Sequence, residues 1–160
     1  MRELEIVGVR IELPSNQPLV LLKEVDGPRH LPIWIGAPEA SAIAMSQQGI
    51  EPPRPMTHDL VINMLRALGK PLLRAELVSV EDTIFKARLV FADGVSVDAR
   101  ASDAVALVLR AECPLLCAEE VLADAGVLVG NGGDPIEGEE ERIREFREFL
   151  DDVEPEDFDT

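Results

Sequence analysis

A chain of 160 residues, 46% of them hydrophobic, is long enough for one domain with its own core. Its formal charge of −16, from 31 acids against 15 Lys and Arg, excludes broad phosphate neutralisation as a way of gripping nucleic acid. No stretch approaches the roughly 20 consecutive apolar residues that span a bilayer, and MRELEIVGVR lacks a signal-type apolar run, so the chain reads as a soluble, cytoplasmic protein.

In chain order, Val7, Val9, Ile11 and Leu13 alternate with Gly8, Arg10 and Glu12, the period of two of a half-buried strand. An apolar run at residues 19–22 predicts a second strand, and Asp26-Gly27 marks a turn before a third at residues 30–35. Gly36 ends that strand and Pro38 suits a first helical turn, predicting a helix over residues 38–48 with Ala40, Ile43, Ala44 and Gln47 on one face. Three prolines between residues 52 and 55 forbid helix there. Thr57 then reads as the N-cap of a helix to Leu68, with Val61, Met64, Leu65 and Leu68 buried and Gly69 as its stop.

The pattern reverts to strands at residues 72–80 and 84–92, and Asp93-Gly94 turns the chain into a return strand at residues 95–100, making a three-stranded meander. From Ser102, a candidate N-cap, AVALVLR is apolar around its whole circumference, which predicts an enclosed helix ending before Pro114. A short strand at 115–117 and a short helix at 119–125 stopped by Gly126 complete the body. Four glycines and a proline then mark residues 130–138 as a linker, and EEERIREFREFLDD carries Ile143, Phe146, Phe149 and Leu150 on one helical face. The expected organisation is a domain at 1–129, a linker at 130–138 and an acidic amphipathic helix and tail at 139–160. The fold class expected is α+β: one compact domain with mixed or antiparallel sheets packed by three to four helices.

Charge follows this division. Residues 134–160 hold 13 acids and three arginines, net −10, which leaves net −6 for the rest. The body is moderately acidic, so nucleic acid as a transient substrate is disfavoured but not excluded, because a metal ion can hold a phosphate there. Cys113 and Cys117, three residues apart, form neither a C-x-x-C motif nor half of a zinc site, and read as reduced, inert thiols.

Chemistry concentrates at predicted helix starts. Glu39, the triplet Thr57-His58-Asp59, and Arg100 with Ser102 and Asp103 place polar groups among apolar runs. Each acid also has a bland explanation, because a first-turn carboxylate gains about 0.3–1 kcal/mol from the helix dipole with no ligand present. His58 reads equally as a hydrogen-bonded structural residue, and Arg100 as a partner of Asp98 on the same strand face.

The segments LPIWIGAPEASAIA, RPMTHDLVINML and ARASDAVALVLR, in this order, resemble the bifunctional nuclease domain family, named for plant members credited with both RNase and DNase activity. The resemblance covers approximately residues 4–128. It implies a self-associating α+β domain and phosphodiester hydrolysis, and carries over Glu39, Arg54, Thr57-His58-Asp59, Arg100, Ser102 and Asp103 by position. Ala101 departs from the family pattern, which has proline there. Phosphodiester hydrolysis needs an activated water and charge neutralisation, and on that chemistry Glu39, Asp59 and Asp103 are the expected ligands of a divalent metal, Mg²⁺ or Mn²⁺, with His58 as base or metal ligand and Arg54 or Arg100 as phosphate clamp. The expected partners are DNA or RNA as transient substrate and further copies of the chain, with no membrane. The competing expectation is a non-catalytic homo-oligomeric binding or regulatory module, in which the polar motifs are helix caps. A Ser102 nucleophile is the weaker third, because no G-x-S-x-G elbow is present.

Overall fold

The computed structural model describes residues 1–12 and 15–128. The expected linker at 130–138 and the expected amphipathic segment at 139–160 lie outside the described residues. The described residues form a single α+β domain in which one mixed eight-stranded sheet carries four helices.

Two antiparallel units build the sheet. The first comprises β1 (Arg2–Glu12), β2 (Gln17–Glu24) and β3 (Arg29–Trp34), paired as successive hairpins. After α1 (Ala37–Gln47) and α2 (Thr57–Ala67), the second comprises β4 (Leu72–Glu81), β5 (Ile84–Phe91) and β6 (Ser96–Arg100), the expected meander. Following α3 (Ala101–Ala111), the three-residue strand β7 (Leu115–Cys117) lies antiparallel to β1 and parallel to β4, fusing the two units. Then α4 (Glu119–Ala125) leads to β8 (Val127–Leu128), a strand the sequence pattern is too short to reveal, which pairs with the edge of β3. The spatial order is β6-β5-β4-β7-β1-β2-β3-β8.

Several local readings change. The alternation in β1 breaks because the register shifts between Ile6 and Gly8, a bulge that leaves Val7 exposed while Leu4 and Ile11 are buried. In α2 the buried face centres on Ile62, with Val61 and Leu65 packed against the core from its edge. Met64 and Leu68, expected inside, are 53% and 71% exposed, since α2 rests on α3 and not on the sheet.

The helix starts are also shifted relative to expectation. Met56 and Arg100, in extended backbone, precede α2 and α3, so Thr57 and Ser102 sit inside the first turns and neither is the N-cap. Helix α3 has the enclosed environment its composition demands: Ala101, Ser102 and residues 104–108 are all buried. It packs against β4, β5 and β6 and supports α1 and α2. At about 1.5–3 kcal/mol for each fully buried large aliphatic side chain, such as Val105 and Ile43, this core fixes where the three helices start.

Candidate active site

The centre of the site is the point where β6 runs without a loop into α3. Arg100 ends the strand and precedes the helix, and Asp103 follows one turn later, so both side chains leave the same corner. Arg100 Nε donates to Asp103 Oδ2 at 2.7 Å and its Nη2 donates to Glu39 Oε1 at 2.9 Å. The competing pairing of Arg100 with Asp98 gives way to these two contacts. Glu39 reaches the corner from the first turn of α1, and Gly36 keeps its path open, since a Cβ there would collide with Glu39 Oε2.

The other oxygen of Asp103 meets α2: His58 Nε2 lies 2.9 Å from Asp103 Oδ1. Burial opposes ionisation of Asp103, but hydrogen bonds from Arg100 and His58 outweigh it and hold the carboxyl below its ordinary value. An ionised Asp103 can only accept, which places the proton of neutral His58 on Nε2 and leaves Nδ1 as the basic nitrogen. Glu39, His58, Arg100 and Asp103 all border one cleft of about 700 Å³, whose remaining wall includes Met45, Met56, Val61, Leu89 and Leu107.

Asp59, the next residue after His58, is turned elsewhere. Its Oδ2 accepts the Met56 N–H at 3.0 Å, closing the start of α2, and its Oδ1 accepts Arg110 Nε at 2.7 Å. Burial opposes its ionisation too, and the Arg110 and Met56 hydrogen bonds again prevail and lower its pKa. Arg110 completes a three-helix clamp by donating Nη1 to Ala106 O at 2.9 Å in α3 and Nη2 to Ala42 O at 3.0 Å in α1. Asp59 borders a second, smaller cleft of about 290 Å³ on the far side of Arg110, with Asn63, Arg66 and Glu112. Arg54 is exposed and borders neither cleft.

The three carboxylates expected to share a metal ion are thus divided. Glu39 and Asp103 are joined through Arg100, whereas Asp59 is held by Arg110. Among the described residues, no group of three or more His, Cys, Asp or Glu is disposed to hold a metal ion. As held, the donor set does not fit a divalent cation, because guanidinium groups already occupy the facing oxygens. Of the three expected ligands, Glu39 and Asp103 share one cleft, and Arg100 is hydrogen-bonded to both.

The sequence reading missed Arg110, although its signal was present. A lone arginine closing the enclosed run AVALVLR must find acceptors, because an unpaired buried guanidinium is prohibitively costly. Other buried acids are paired in the same way: Glu24 with Arg29, and Glu76 with Arg74 and Arg88, lie in the sheet away from the cleft and serve its packing. Cys117 is buried and its thiol is pushed up to about 12 by that burial, while burial also raises Cys113; both are free thiols poorly suited to ionise.

The chain belongs to the bifunctional nuclease domain family, whose match spans residues 20–130 and includes every residue of the corner. Over 161 aligned positions it is 47% identical to an uncharacterized protein of Mycobacterium tuberculosis strain CDC 1551 / Oshkosh, covering 99% of this chain and 98% of the relative. The same figures hold for an uncharacterized protein of strain ATCC 25618 / H37Rv. No helix among the described residues is long and apolar enough to cross a membrane.

Proposed function

We propose that the chain is a nuclease that hydrolyses phosphodiester bonds in DNA or RNA at the larger cleft. The observation that carries this reading is the 2.9 Å contact between His58 Nε2 and Asp103 Oδ1 on the cleft wall, beside the exposed guanidinium of Arg100. With its tautomer set by Asp103, His58 accepts the proton of an attacking water through Nδ1. Arg100 Nη1 makes no hydrogen bond among the described residues and is the group to meet a phosphate oxygen. Mg²⁺ or Mn²⁺, expected from the carboxylates in the sequence, would bind there only if Arg100 released Glu39 and Asp103, and no proton-transfer step depends on it. The test is cleavage of DNA and RNA by the purified chain beside His58→Ala and Asp103→Asn, with and without added Mn²⁺. Undiminished cleavage in both variants removes the site.

A second reading, a non-catalytic homo-oligomeric module, draws on a different observation. Met56, Leu60, Met64 and Leu68, each four residues apart, form a stripe on α2 that is 50–71% exposed. Such a stripe suits packing against another copy of the chain, and sedimentation of the protein beside Leu60→Glu tests it. This arrangement is compatible with catalysis; absence of cleavage together with a stable assembly would leave it as the function.

A further inference from the structure

We infer that the larger cleft receives an unpaired nucleobase from a short strand, and that duplex nucleic acid is excluded from it. The inference rests on the hydrolase reading for the phosphate position and specifies what lies beside that phosphate. The lining is of two kinds. Arg100, His58, Asp103, Glu39 and Asp98 are polar, and Met45, Met56, Val61 and Leu107 are apolar. Its volume of about 700 Å³ is of the size that takes a small molecule or a few nucleotide groups.

Met56 is the most exposed large hydrophobic residue lining the cleft. It stands at the start of α2, its N–H fixed by Asp59, and holds an apolar side chain 54% exposed at the mouth of the cleft. A thioether there favours the face or edge of an aromatic ring. In a duplex those ring faces are hidden by stacking, so an apolar lining gains nothing from it, and extruding a base costs a few kcal/mol. A single strand presents its bases freely, and contact with their faces does not depend on sequence.

Electrostatics selects the same substrate. Duplex DNA carries about one negative charge per 1.7 Å, and binding it requires a track of unpaired cations. The cleft has two arginines, Arg100 and Arg110, and both are already paired with carboxylates, while residues 1–133 carry net −6. One or two phosphates are tolerated there; a long run is repelled.

The experiment measures binding by fluorescence anisotropy with the full chain and three labelled DNA octamers of one sequence: single-stranded, duplex, and single-stranded with abasic sites. The expected result is single-strand binding about tenfold tighter than either alternative, a salt dependence matching one or two phosphates, and loss of the preference in Met56→Ala, whose exposed side chain is not needed for folding. Equal or tighter binding of the duplex, equal binding of the abasic strand, or no binding of the single strand overturns the inference. Cleavage of the labelled single strand by the same protein, followed on a denaturing gel as turnover, separates the two readings. Discrimination without turnover upholds the base pocket and removes the hydrolase; turnover without discrimination does the reverse.

Discussion

Two arginines tie the three helices together, and they do so in opposite environments. The side chain of Arg100 is 67% exposed and bridges Glu39 to Asp103 at the cleft mouth; that of Arg110 is 10% exposed and ties Asp59 to backbone carbonyls of α1 and α3. The same chemical group therefore has two physical roles. An exposed guanidinium in water holds its partners weakly and can be drawn away by a competing anion. An enclosed one has no alternative acceptors, so its bonds are structural. Adjacent residues of α2 feel both: His58 turns toward the exposed arm and Asp59 toward the enclosed one.

The largest expected effect breaks the exposed arm at its reacting end. His58→Ala should lower the cleavage rate by about 10²–10⁴-fold, the usual range for one proton-transfer group. Chemical denaturation should show the variant close to wild type, because the side chain's main partner, Asp103, keeps Arg100. A rate within a factor of a few of wild type would remove His58 from the chemistry.

Arg110→Met breaks the enclosed arm. It leaves the Asp59 carboxylate without its cation and removes the side-chain ties to the helical carbonyls of Ala42 and Ala106, and should destabilise the fold by about 2–3 kcal/mol in urea denaturation. That is somewhat below a fully buried pair because Asp59 keeps contact with water. The sign with pH is fixed. Asp59 and Asp103 both have folded-state values lowered below 3.8, so their contribution is fully present above that value and is lost as pH falls through the lowered ones. Arg110→Met should therefore flatten acid unfolding at Asp59 while the Asp103 component remains, which stability measured against pH from neutrality downward will report.

Much of this arrangement was legible before any coordinates. Strands of four or more residues announced themselves by alternation or by apolar runs, and the glycines after α1, α2 and α4 marked their ends. The parts that were not legible share a cause: they depend on contacts distant in sequence. β8 is two residues long and exists only because β3 offers an edge. The direction of α2 followed from the surface of α3, and so Met64 and Leu68 were assigned to the wrong face. Similarly, three acids at three helix starts look equivalent in sequence, and only the positions of Arg100 and Arg110 assign two to one cleft and the third to another.

Removing the exposed cation sharpens the metal question. Arg100→Ala should change stability by less than about 1 kcal/mol, as expected for an exposed ion pair. If Mn²⁺ binds between Glu39 and Asp103, freeing their oxygens should tighten it about tenfold, a gain near 1.4 kcal/mol, when titrated calorimetrically. Unchanged Mn²⁺ affinity would mean that this carboxylate pair is not where the ion binds.

The smallest effect lies at Thr57, between the two arms. Its sequence position suggests an N-cap whose loss costs about 0.5–2 kcal/mol. In the structure Met56 is the cap residue, the Met56 N–H is taken by Asp59, and Thr57 is exposed within the first turn with no side-chain cap bond. Thr57→Ala should therefore stay within about 0.5 kcal/mol of wild type, as a surface substitution does. Asp59→Ala should exceed it severalfold, because it removes the Met56 bond and strands Arg110 together. Comparable losses for the two variants in parallel urea titrations would show that α2 is closed by the threonine after all, and that the division between the arms begins one residue earlier.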